Sequence, residues 1–251
     1  MIEAMTSLAP TNSDSSTDST AAEKKLAEKI AMGWMHTAKF LTTAPSLDFL
    51  PALNLPEFAF VGRSNAGKST CINTLTQQGR LAFASKKPGR TQHINLFSLG
   101  RGGVHDAVLA DLPGYGYAAV PKEAKYRWQQ VMANYLVSRT NLKAIVLLVD
   151  SRLGLTELDE VLLDLLRDRV EAGLKFLVLL TKADKLNKTE AAKILSIVQL
   201  QAGGGEVRLF SATKKIGVQE AAVILRNWVP AVAAVPVAAA NAAAEPAAPE
   251  I

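Results

Sequence analysis

Short apolar runs alternate along most of the chain with stretches of helical periodicity. Seven apolar runs predict strands, near 38–43, 58–61, 94–99, 105–110, 144–149, 175–180 and 206–210. Five stretches predict helices, near 68–77, 122–138, 157–171, 188–201 and 217–228. Because strands and helices alternate, we expect an α/β fold with a mostly parallel central sheet and helices on both faces, and ligands at the carboxyl ends of the strands.

The clearest helical pattern lies at 157–171. Thr156 is a suitable N-cap residue, and Gly173 follows as a stop signal. Four apolar side chains are spaced to share one face of this helix, which we predict to be part of the core: Leu158, Val161, Leu162 and Leu165.

The two ends of the chain differ from its middle. Residues 1–24 are polar and have no basic segment followed by an apolar stretch, so we expect a disordered tail and not a signal peptide. Residues 230–251 are rich in alanine and proline and predict a second disordered tail. The segment 25–229 is then one globular domain. Its apolar runs are too short to span a bilayer, so we expect no membrane partner and a cytoplasmic location.

Composition adds little to this division. The 251 residues are 49% hydrophobic, which suffices for a buried core. The formal charge of +5 fits either a polyanionic partner or an ordinary solvated surface. The single cysteine, Cys71, excludes an intramolecular disulfide framework, and its place early in a predicted helix favours a small buried side chain.

The stretch GRSNAGKS, residues 62–69, has the Walker A spacing and joins a predicted strand to a predicted helix. Backbone N–H groups from Asn65 through Ser69 would face the phosphates of a nucleotide, and Gly62 and Gly67 permit close approach. Lys68 would reach the β and γ phosphates, and the Ser69 hydroxyl would bind magnesium. A simple glycine turn before a helix does not explain why lysine and serine follow together.

The stretch DLPGYG, residues 111–116, follows another predicted strand. Asp111 would hold magnesium through water, and the Gly114 amide would bind a γ-phosphate, so that this loop senses hydrolysis. Taken alone, the spacing of aspartate and glycine also fits a simple turn. Its position after a phosphate loop favours the functional interpretation.

The stretch TKAD, residues 181–184, selects the base. Guanine presents two neighbouring donors that the Asp184 carboxylate can accept, whereas adenine has no matching pair, so the pattern indicates GTP. The stem of Lys182 would lie along the base, and Thr181 would tie this loop to the phosphate loop. A charged turn that opens a helix is the alternative. Backbone amides of the later SAT stretch, residues 211–213, would face the guanine carbonyl.

Five segments, GRSNAGKST, KKPGRTQHINLF, DLPGYGYA, TKAD and FSAT, resemble the EngB (YihA/YsxC) family of ribosome biogenesis GTPases, in the TrmE-Era-EngA-EngB-septin-like class. The resemblance covers about residues 38–229. It implies a P-loop NTPase with a Ras-like G domain, which binds GTP or GDP in the bacterial cytoplasm. It also implies a role in assembly of the large ribosomal subunit and in normal cell division and septation.

The resemblance also implies the site residues. The GTP contacts are Gly62, Arg63, Ser64, Asn65, Ala66, Gly67, Lys68, Ser69, Gly89, Arg90, Thr91, Gln92, His93, Asp111, Leu112, Pro113, Gly114, Thr181, Lys182, Ala183, Asp184, Phe210, Ser211 and Ala212. Magnesium is assigned to Ser69 and Thr91, with Asp111 acting through water. Lys68, Thr91 and Gly114 are the catalytic candidates, and Thr91 would respond to the γ-phosphate within a first switch.

Several positions qualify this assignment. Tyr115 stands where Ras-like enzymes place a glutamine that orients water, so intrinsic hydrolysis should be slow. Asn65 either holds a potassium ion or suits the backbone geometry of its loop. We interpret Arg90 as a solvated switch residue and His93 as an incidental polar residue.

The sequence therefore predicts a slow, monomeric GTPase switch that acts on the assembling large ribosomal subunit through rRNA and ribosomal proteins, and not on DNA. Basic residues on or near the two switches would contact RNA in one nucleotide state: Lys86, Lys87, Arg90, Lys122, Lys125 and Arg127. The alternative is a GTP-regulated binding module for septation proteins that is independent of RNA. A two-domain assembly or RNA-modification GTPase is disfavoured, because no second P-loop is found and nothing after residue 229 resembles an RNA-binding domain.

Overall fold

The structure, a computed structural model, describes residues 15–82, 93–116, 122–230 and 235–236. Its helices are α1 (Ser15–Met35), α2 (Lys68–Thr76), α3 (Lys122–Ser138), α4 (Glu157–Glu171), α5 (Lys188–Gln201) and α6 (Val218–Asn227). Its strands are β1 (Lys39–Ala44), β2 (Glu57–Gly62), β3 (Ile94–Leu99), β4 (Val104–His105), β5 (Ala107–Asp111), β6 (Leu142–Asp150), β7 (Lys175–Thr181), β8 (Glu206–Leu209) and β9 (Val235–Pro236). Two 3₁₀ turns cover Leu47–Phe49 and Ala183–Lys185.

Seven strands form one sheet in the order β1-β3-β5-β2-β6-β7-β8. Strands β5, β2, β6, β7 and β8 run parallel, while β3 is antiparallel to both β1 and β5. The short strands β4 and β9 make a separate antiparallel pair. The predicted α/β class with a mostly parallel sheet and helices on both faces is confirmed, and five parallel strands bring their carboxyl ends to one edge.

The core lies on both faces of this sheet. Every residue of the central strand β2 is buried, including Glu57 at its start. On one face α1, α2 and α6 bury Trp34, Met35, Ile72 and Leu225. On the other, the helices bury Tyr135, Leu162, Leu166 and Val198. Cys71 lies in the first core and is a buried free thiol, as the sequence predicted.

The predicted strands and helices are found with ends that differ by at most a few residues, but α1 and the β4–β9 pair were not predicted. Residues 15–24, which we had assigned to the polar tail, begin α1, where alanine, lysine and glutamate favour helix. The α1 helix packs against α6, and Trp34 donates to Asp106 Oδ1 across 2.8 Å. No helix in the described residues is long and apolar enough to cross a membrane.

The apolar face predicted for α4 is wrong in part. Leu162 and Leu166 are buried, but Val161 and Leu165 are 65% and 40% exposed. The helix is rotated so that Asp159, which is 1% exposed, also faces inward. A polar side chain therefore occupies part of the buried face, and spacing of apolar residues alone cannot reveal that rotation.

Candidate functional site

The motif residues that the structure describes lie at the carboxyl ends of four of the five parallel strands. The phosphate loop follows β2, and Asp111 is the last residue of β5. Thr181 ends β7, and Ser211 follows β8. Because these strands are parallel neighbours, their carboxyl ends form one edge, at which motifs that are distant in sequence meet.

Glycines shape the phosphate loop. Gly62 has φ of 151°, and an added Cβ would lie 2.5 Å from the Leu148 carbonyl oxygen. Gly67 has φ of 100° and is the N-cap residue of α2, so the loop passes directly into a helix whose first N–H groups are free to bind an anion. Asn65 also has a positive φ, 66°, a region that asparagine tolerates better than most residues.

A buried charged cluster lies at the start of α2. Ser69 Oγ donates to Asp111 Oδ2 across 2.8 Å, whereas Asp111 Oδ1 has no hydrogen-bond partner among the described residues. Burial lowers the pKa of Lys68, against the opposing effect of Asp111. Burial likewise raises the pKa of Asp111, although Lys68 and Ser69 oppose that change. A buried carboxylate with a free oxygen beside a serine hydroxyl fits the oxygen ligands that magnesium prefers.

Gly114 lies against the phosphate loop. A Cβ at this position would be 3.0 Å from both Lys68 Nζ and Ser64 Cα. The loop is held there by the backbone, because Ser64 N donates to Tyr115 O across 2.8 Å. Its neighbour Leu112 is buried. Only glycine fits this approach without a shift, so the Gly114 backbone sits beside the lysine that would face a terminal phosphate.

The Tyr115 side chain is bonded to α4. Its hydroxyl donates to Asp159 Oδ1 in a buried hydrogen bond. Thr156 donates to the other oxygen of the same carboxylate, from its backbone N at 2.8 Å and from Oγ1 at 2.7 Å. Burial and the Asp159 carboxylate both raise the pKa of Tyr115. The tyrosine thus links the loop after β5 to the first turn of α4.

The TKAD loop is tied to the phosphate loop by two side chains. Thr181 Oγ1 donates to Ala66 O across 2.8 Å and to Val149 O across 3.1 Å, as its expected tying role requires. Lys182 has φ of 58°, and its Nζ lies 3.0 Å from Asn65 O and 2.9 Å from Asp150 Oδ2. The base loop and the phosphate loop are therefore held as one unit.

Asp184 is held at the rim of a cavity by the SAT stretch. Ser211 Oγ donates to Asp184 Oδ1 across 2.6 Å, and this hydrogen bond lowers the pKa of the carboxyl. Ala183 N donates to Phe210 O across 3.1 Å, which joins the two loops. The cavity measures about 440 Å³. Its lining includes Asn65, Gly67, Lys182, Asp184, Phe210 and Ala212.

Several predicted site residues fall outside the described part of the chain or have side chains outside it. Gly89, Arg90, Thr91 and Gln92, with Lys86 and Lys87, lie outside the described residues. His93 is exposed just before β3. The side chains of Lys122, Lys125 and Arg127 are likewise outside the described part of the chain.

Two acidic residues at this edge were missed by the sequence analysis, Asp150 and Asp159. Asp150 ends β6 in the run LKAIVLLVD, and an acidic residue directly after a buried strand was the available signal. For Asp159 the capping-box spacing from Thr156 at the start of α4 was the available signal, whereas its contact with the distant Tyr115 has none.

Electrostatics and shape together indicate what the edge can bind. One end offers the N-terminus of α2, Lys68 and the glycine-lined loop, which suit phosphate groups. The other end offers a cavity with an ionised carboxylate, which suits a planar base with paired donors. The arrangement fits a nucleoside polyphosphate better than an isolated anion.

Comparison with known proteins agrees with this site. The protein-family description "50S ribosome-binding GTPase" matches residues 57–182. The chain is 79% identical over 200 residues to "Probable GTP-binding protein EngB" of Polaromonas sp., an overlap that covers 80% of this chain and 82% of the relative. The protein of the same name from Albidiferax ferrireducens is 77% identical over 199 residues, covering 79% and 96%.

Solved structures show the same fold at lower identity. A crystal structure of a probable GTP-binding protein engB has a TM-score of 0.56 and 21% identity, covering 69% of this chain and 98% of the other. Aquifex aeolicus Era bound to GDP.AlF4- has a TM-score of 0.59 and 18% identity, covering 72% and 59%. With the identities to the curated relatives, these findings show that the chain is a member of the EngB family of P-loop GTP-binding proteins.

Proposed function

We propose that the chain is a slow GTPase switch for assembly of the large ribosomal subunit, built on the GTP binding of its family. The observation that carries its nucleotide choice is the Asp184 carboxylate, held by Ser211 at the rim of the base cavity. The phosphate loop lies at the other side of the same cavity. In this proposal the G domain, which includes helix α1 at its amino end, acts as a monomer in the cytoplasm.

Base recognition rests on Asp184. Its lowered pKa keeps it ionised at neutral pH, so both carboxylate oxygens can accept hydrogen bonds from guanine N1–H and the N2 amino group. Lys182 would lie with its aliphatic stem along the base. The neighbouring Phe210 and Ala212 line the same cavity, and the SAT amides would face the guanine carbonyl.

Phosphate binding rests on Lys68, the loop amides and Gly114. Lys68 is already desolvated, so its interaction with a phosphate would be stronger than that of a surface lysine. Ser69 and Asp111, the latter through water, would hold magnesium, and Thr91 would complete that set. When bound, magnesium supplies positive charge that offsets the charge developing on the phosphates.

Slow hydrolysis follows from Tyr115. This residue has no side-chain amide to orient water, and its hydroxyl is engaged by Asp159. The isolated protein should therefore turn over at about 10⁻⁴ to 10⁻² s⁻¹, as unassisted switch GTPases do. Lys68, Thr91 and Gly114 would contribute by charge and positioning alone.

Support for a ribosomal partner comes from the comparisons and from charge. The matching family description names 50S ribosome binding, and a structural neighbour, Era, was solved with nucleotides 1506–1542 of 16S ribosomal RNA. The net charge of +5 suits an RNA partner. Because the γ-phosphate would order the Thr91 and Gly114 loops, subunit binding should require GTP.

The base assignment is tested by Asp184→Asn. The variant should lose GTP affinity and gain affinity for xanthosine triphosphate, whose carbonyl matches the new amide donor. Calorimetric titration with GTP and with xanthosine triphosphate measures the two affinities. Asp164→Asn, on an exposed part of α4, is the matched control. Unchanged GTP affinity in Asp184→Asn would refute the assignment.

The ribosomal role is tested by pelleting the full chain with ribosomal subunits in GDP, GTP or a non-hydrolysable analogue. We expect pelleting with the large subunit or its precursor in the triphosphate states only. Equal pelleting with GDP and GTP would contradict the switch. Absence of pelleting in every state, with nucleotide binding intact, would favour the RNA-independent module for septation proteins.

Potassium at Asn65 is a further part of the proposal. Asn65 lines the base cavity. Its positive φ is by itself a sufficient reason for an asparagine here, because asparagine tolerates that backbone conformation better than most residues. A bound potassium ion would supply charge between the β and γ phosphates. Hydrolysis should then be slower in sodium than in potassium. Equal rates would leave Asn65 with its backbone role only.

A further inference from the structure

A charged triad at the end of β6 lies beside the site and is not explained by it. Asp150 pairs in register with Thr181 of β7, so its side chain emerges next to the TKAD loop. Its carboxylate contacts two cations, Arg152 and Lys182.

The carboxylate of Asp150 is fully engaged. Arg152 donates to Oδ1 from its backbone N at 3.1 Å and from Nε at 2.9 Å. Arg152 Nη2 and Lys182 Nζ donate to Oδ2 at 2.6 Å and 2.9 Å. Burial would raise the pKa of Asp150, but hydrogen bonds from Arg152 and Lys182 outweigh it and hold the pKa well below its usual range. The Asp150 carboxylate therefore remains ionised throughout the physiological pH range.

Lys182 is the member of this triad that faces the nucleotide cavity. Its Nζ also donates to Asn65 O in the phosphate loop, and the residue lines the cavity with Asp184 and Phe210. A lysine on the surface has many rotamers, and ordering it upon ligand binding opposes that binding. Two acceptors, one in the phosphate loop and one at the end of β6, restrict Lys182 to one arrangement before the ligand arrives.

We propose that Asp150, oriented by the guanidinium of Arg152, is a positioning residue for nucleotide binding that fixes the side chain of Lys182 along the base cavity. The inference rests on the base-site role proposed above for the TKAD loop. Asp150 itself would not touch the nucleotide. It acts through Lys182, and Arg152 acts through Asp150.

The triad differs from an ion pair in which both side chains are exposed to solvent. Arg167 and Asp164, three residues apart on α4, are 67% and 68% exposed and line no part of the base cavity. The Asp150 side chain is 10% exposed and connects the ends of two strands. An exposed pair such as Arg167 and Asp164 contributes little to stability, because water and salt screen the attraction between its charges. A largely buried carboxylate such as Asp150 can hold a side chain in position.

A double-mutant cycle tests the proposal with the full chain. GDP and GTP affinities are measured by calorimetry for the wild type, Asp150→Asn, Lys182→Met and the double variant, with Asp164→Asn as the control. Asp150→Asn should weaken both nucleotides equally, by about 5- to 20-fold, the size of coupling found between contacting residues. In the Lys182→Met background the same change should have an effect of less than about twofold.

Two further measurements separate positioning from folding. In steady-state hydrolysis over a range of GTP concentrations, Asp150→Asn should raise KM and leave kcat unchanged, since the reacting phosphates are not touched. Arg152→Ala removes the guanidinium from a half-exposed position and should give a smaller loss of affinity, about 2- to 5-fold, that also vanishes in the Lys182→Met background.

The outcomes are distinct. Wild-type affinity in Asp150→Asn overturns the inference, as does an equal loss with and without Lys182, which would indicate an effect through the fold. Wild-type affinity in Lys182→Met overturns both the inference and the proposed base role of the TKAD lysine. If Asp150→Asn does not fold, as judged by its urea transition, the Arg152→Ala cycle decides by the same criteria.

Discussion

The sheet carries one buried carboxylate at the amino ends of its parallel strands and another at their carboxyl ends. The two differ in how many of their oxygen atoms have hydrogen-bond partners. Glu57 begins β2 and is 0% exposed. Its Oε1 accepts from the Tyr135 hydroxyl and from Arg139 Nε at 3.0 Å. Its Oε2 accepts from Arg139 Nη2 at 3.1 Å and from Asn141 Nδ2 at 3.4 Å. Asp111, at the opposite end of the neighbouring strand, has Ser69 on one oxygen and no described partner on the other.

The difference separates a structural carboxylate from one that is ready for a ligand. An unpaired polar atom in the interior costs free energy, so it persists only where something else compensates. At Glu57 every acceptor is used by the protein, and nothing is left for a ligand. At Asp111 an acceptor is left beside a desolvated lysine, which is the arrangement expected where phosphate and metal bind.

The cluster around Glu57 also joins elements of one face. Arg139 Nη2 donates to Pro51 O across 3.0 Å, and Arg169 of α4 donates to Arg139 O across 3.1 Å. Burial and the Glu57 carboxylate raise the pKa of Tyr135 well above its usual value, so the hydroxyl remains a donor at any working pH. The cluster therefore ties α3 and α4 to the amino end of the central strand.

The largest expected effect is on stability, at the Glu57 end. Arg139→Ala removes the cation from a carboxylate that stays buried, and should lower the free energy of unfolding by about 3–5 kcal/mol. Urea denaturation measures this loss. The folded variant should bind GDP as the wild type does, because the site is at the other end of the sheet. Arg167→Ala, in an exposed pair, should cost less than about 1 kcal/mol.

Two results would contradict this division between the Glu57 end and the Asp111 end of the sheet. If Arg139→Ala unfolds no more readily than Arg167→Ala, the Glu57 cluster is not the structural counterpart of the site. If its folded form loses nucleotide affinity, the two ends of the sheet are coupled and the division between them is incorrect.

The next effect is on binding, at the Asp111 end. Lys68→Ala should weaken triphosphate binding by about 2–4 kcal/mol, or about 30- to 1000-fold, because a charge-assisted phosphate contact in a closed site is lost. Stability should not fall in parallel, since burial disfavours the charged lysine and lowers its pKa. Calorimetry gives the affinity and urea denaturation the stability. Wild-type affinity, or a large loss of stability, would contradict a binding role.

The smallest effect concerns Tyr115, which belongs to a loop of the site and whose hydroxyl makes a structural hydrogen bond to α4. Tyr115→Phe leaves Asp159 Oδ1 without its donor and should lower the free energy of unfolding by about 1–3 kcal/mol. Single-turnover hydrolysis should stay within about twofold of the wild type, since the hydroxyl is not a general base in the proposed function. A rate that falls 100-fold would assign the tyrosine a catalytic part instead.

Sequence patterns predicted those parts of the site that depend on local order. The phosphate loop and the DLPGYG, TKAD and SAT motifs each follow a strand, and parallel strands place their ends together, so the approach of Thr181 to Ala66 could be expected. Contacts between distant residues could not. Glu57 and Arg139 are 82 positions apart, and Tyr115 and Asp159 are 44 apart. The rotation of α4 was missed for the same reason, because a buried aspartate replaces part of its apolar face.

The burial of Cys71 has a practical consequence for studying the switch. It is the only cysteine among the 251 residues, and burial raises its pKa, so the thiol stays protonated and inaccessible to maleimide at neutral pH. A cysteine introduced at Leu200 of α5, which is 87% exposed, would then be a single attachment point for a fluorophore or spin label in an otherwise native sequence. Paired with a labelled nucleotide, it would report on the bound state by energy transfer with no background from the native thiol.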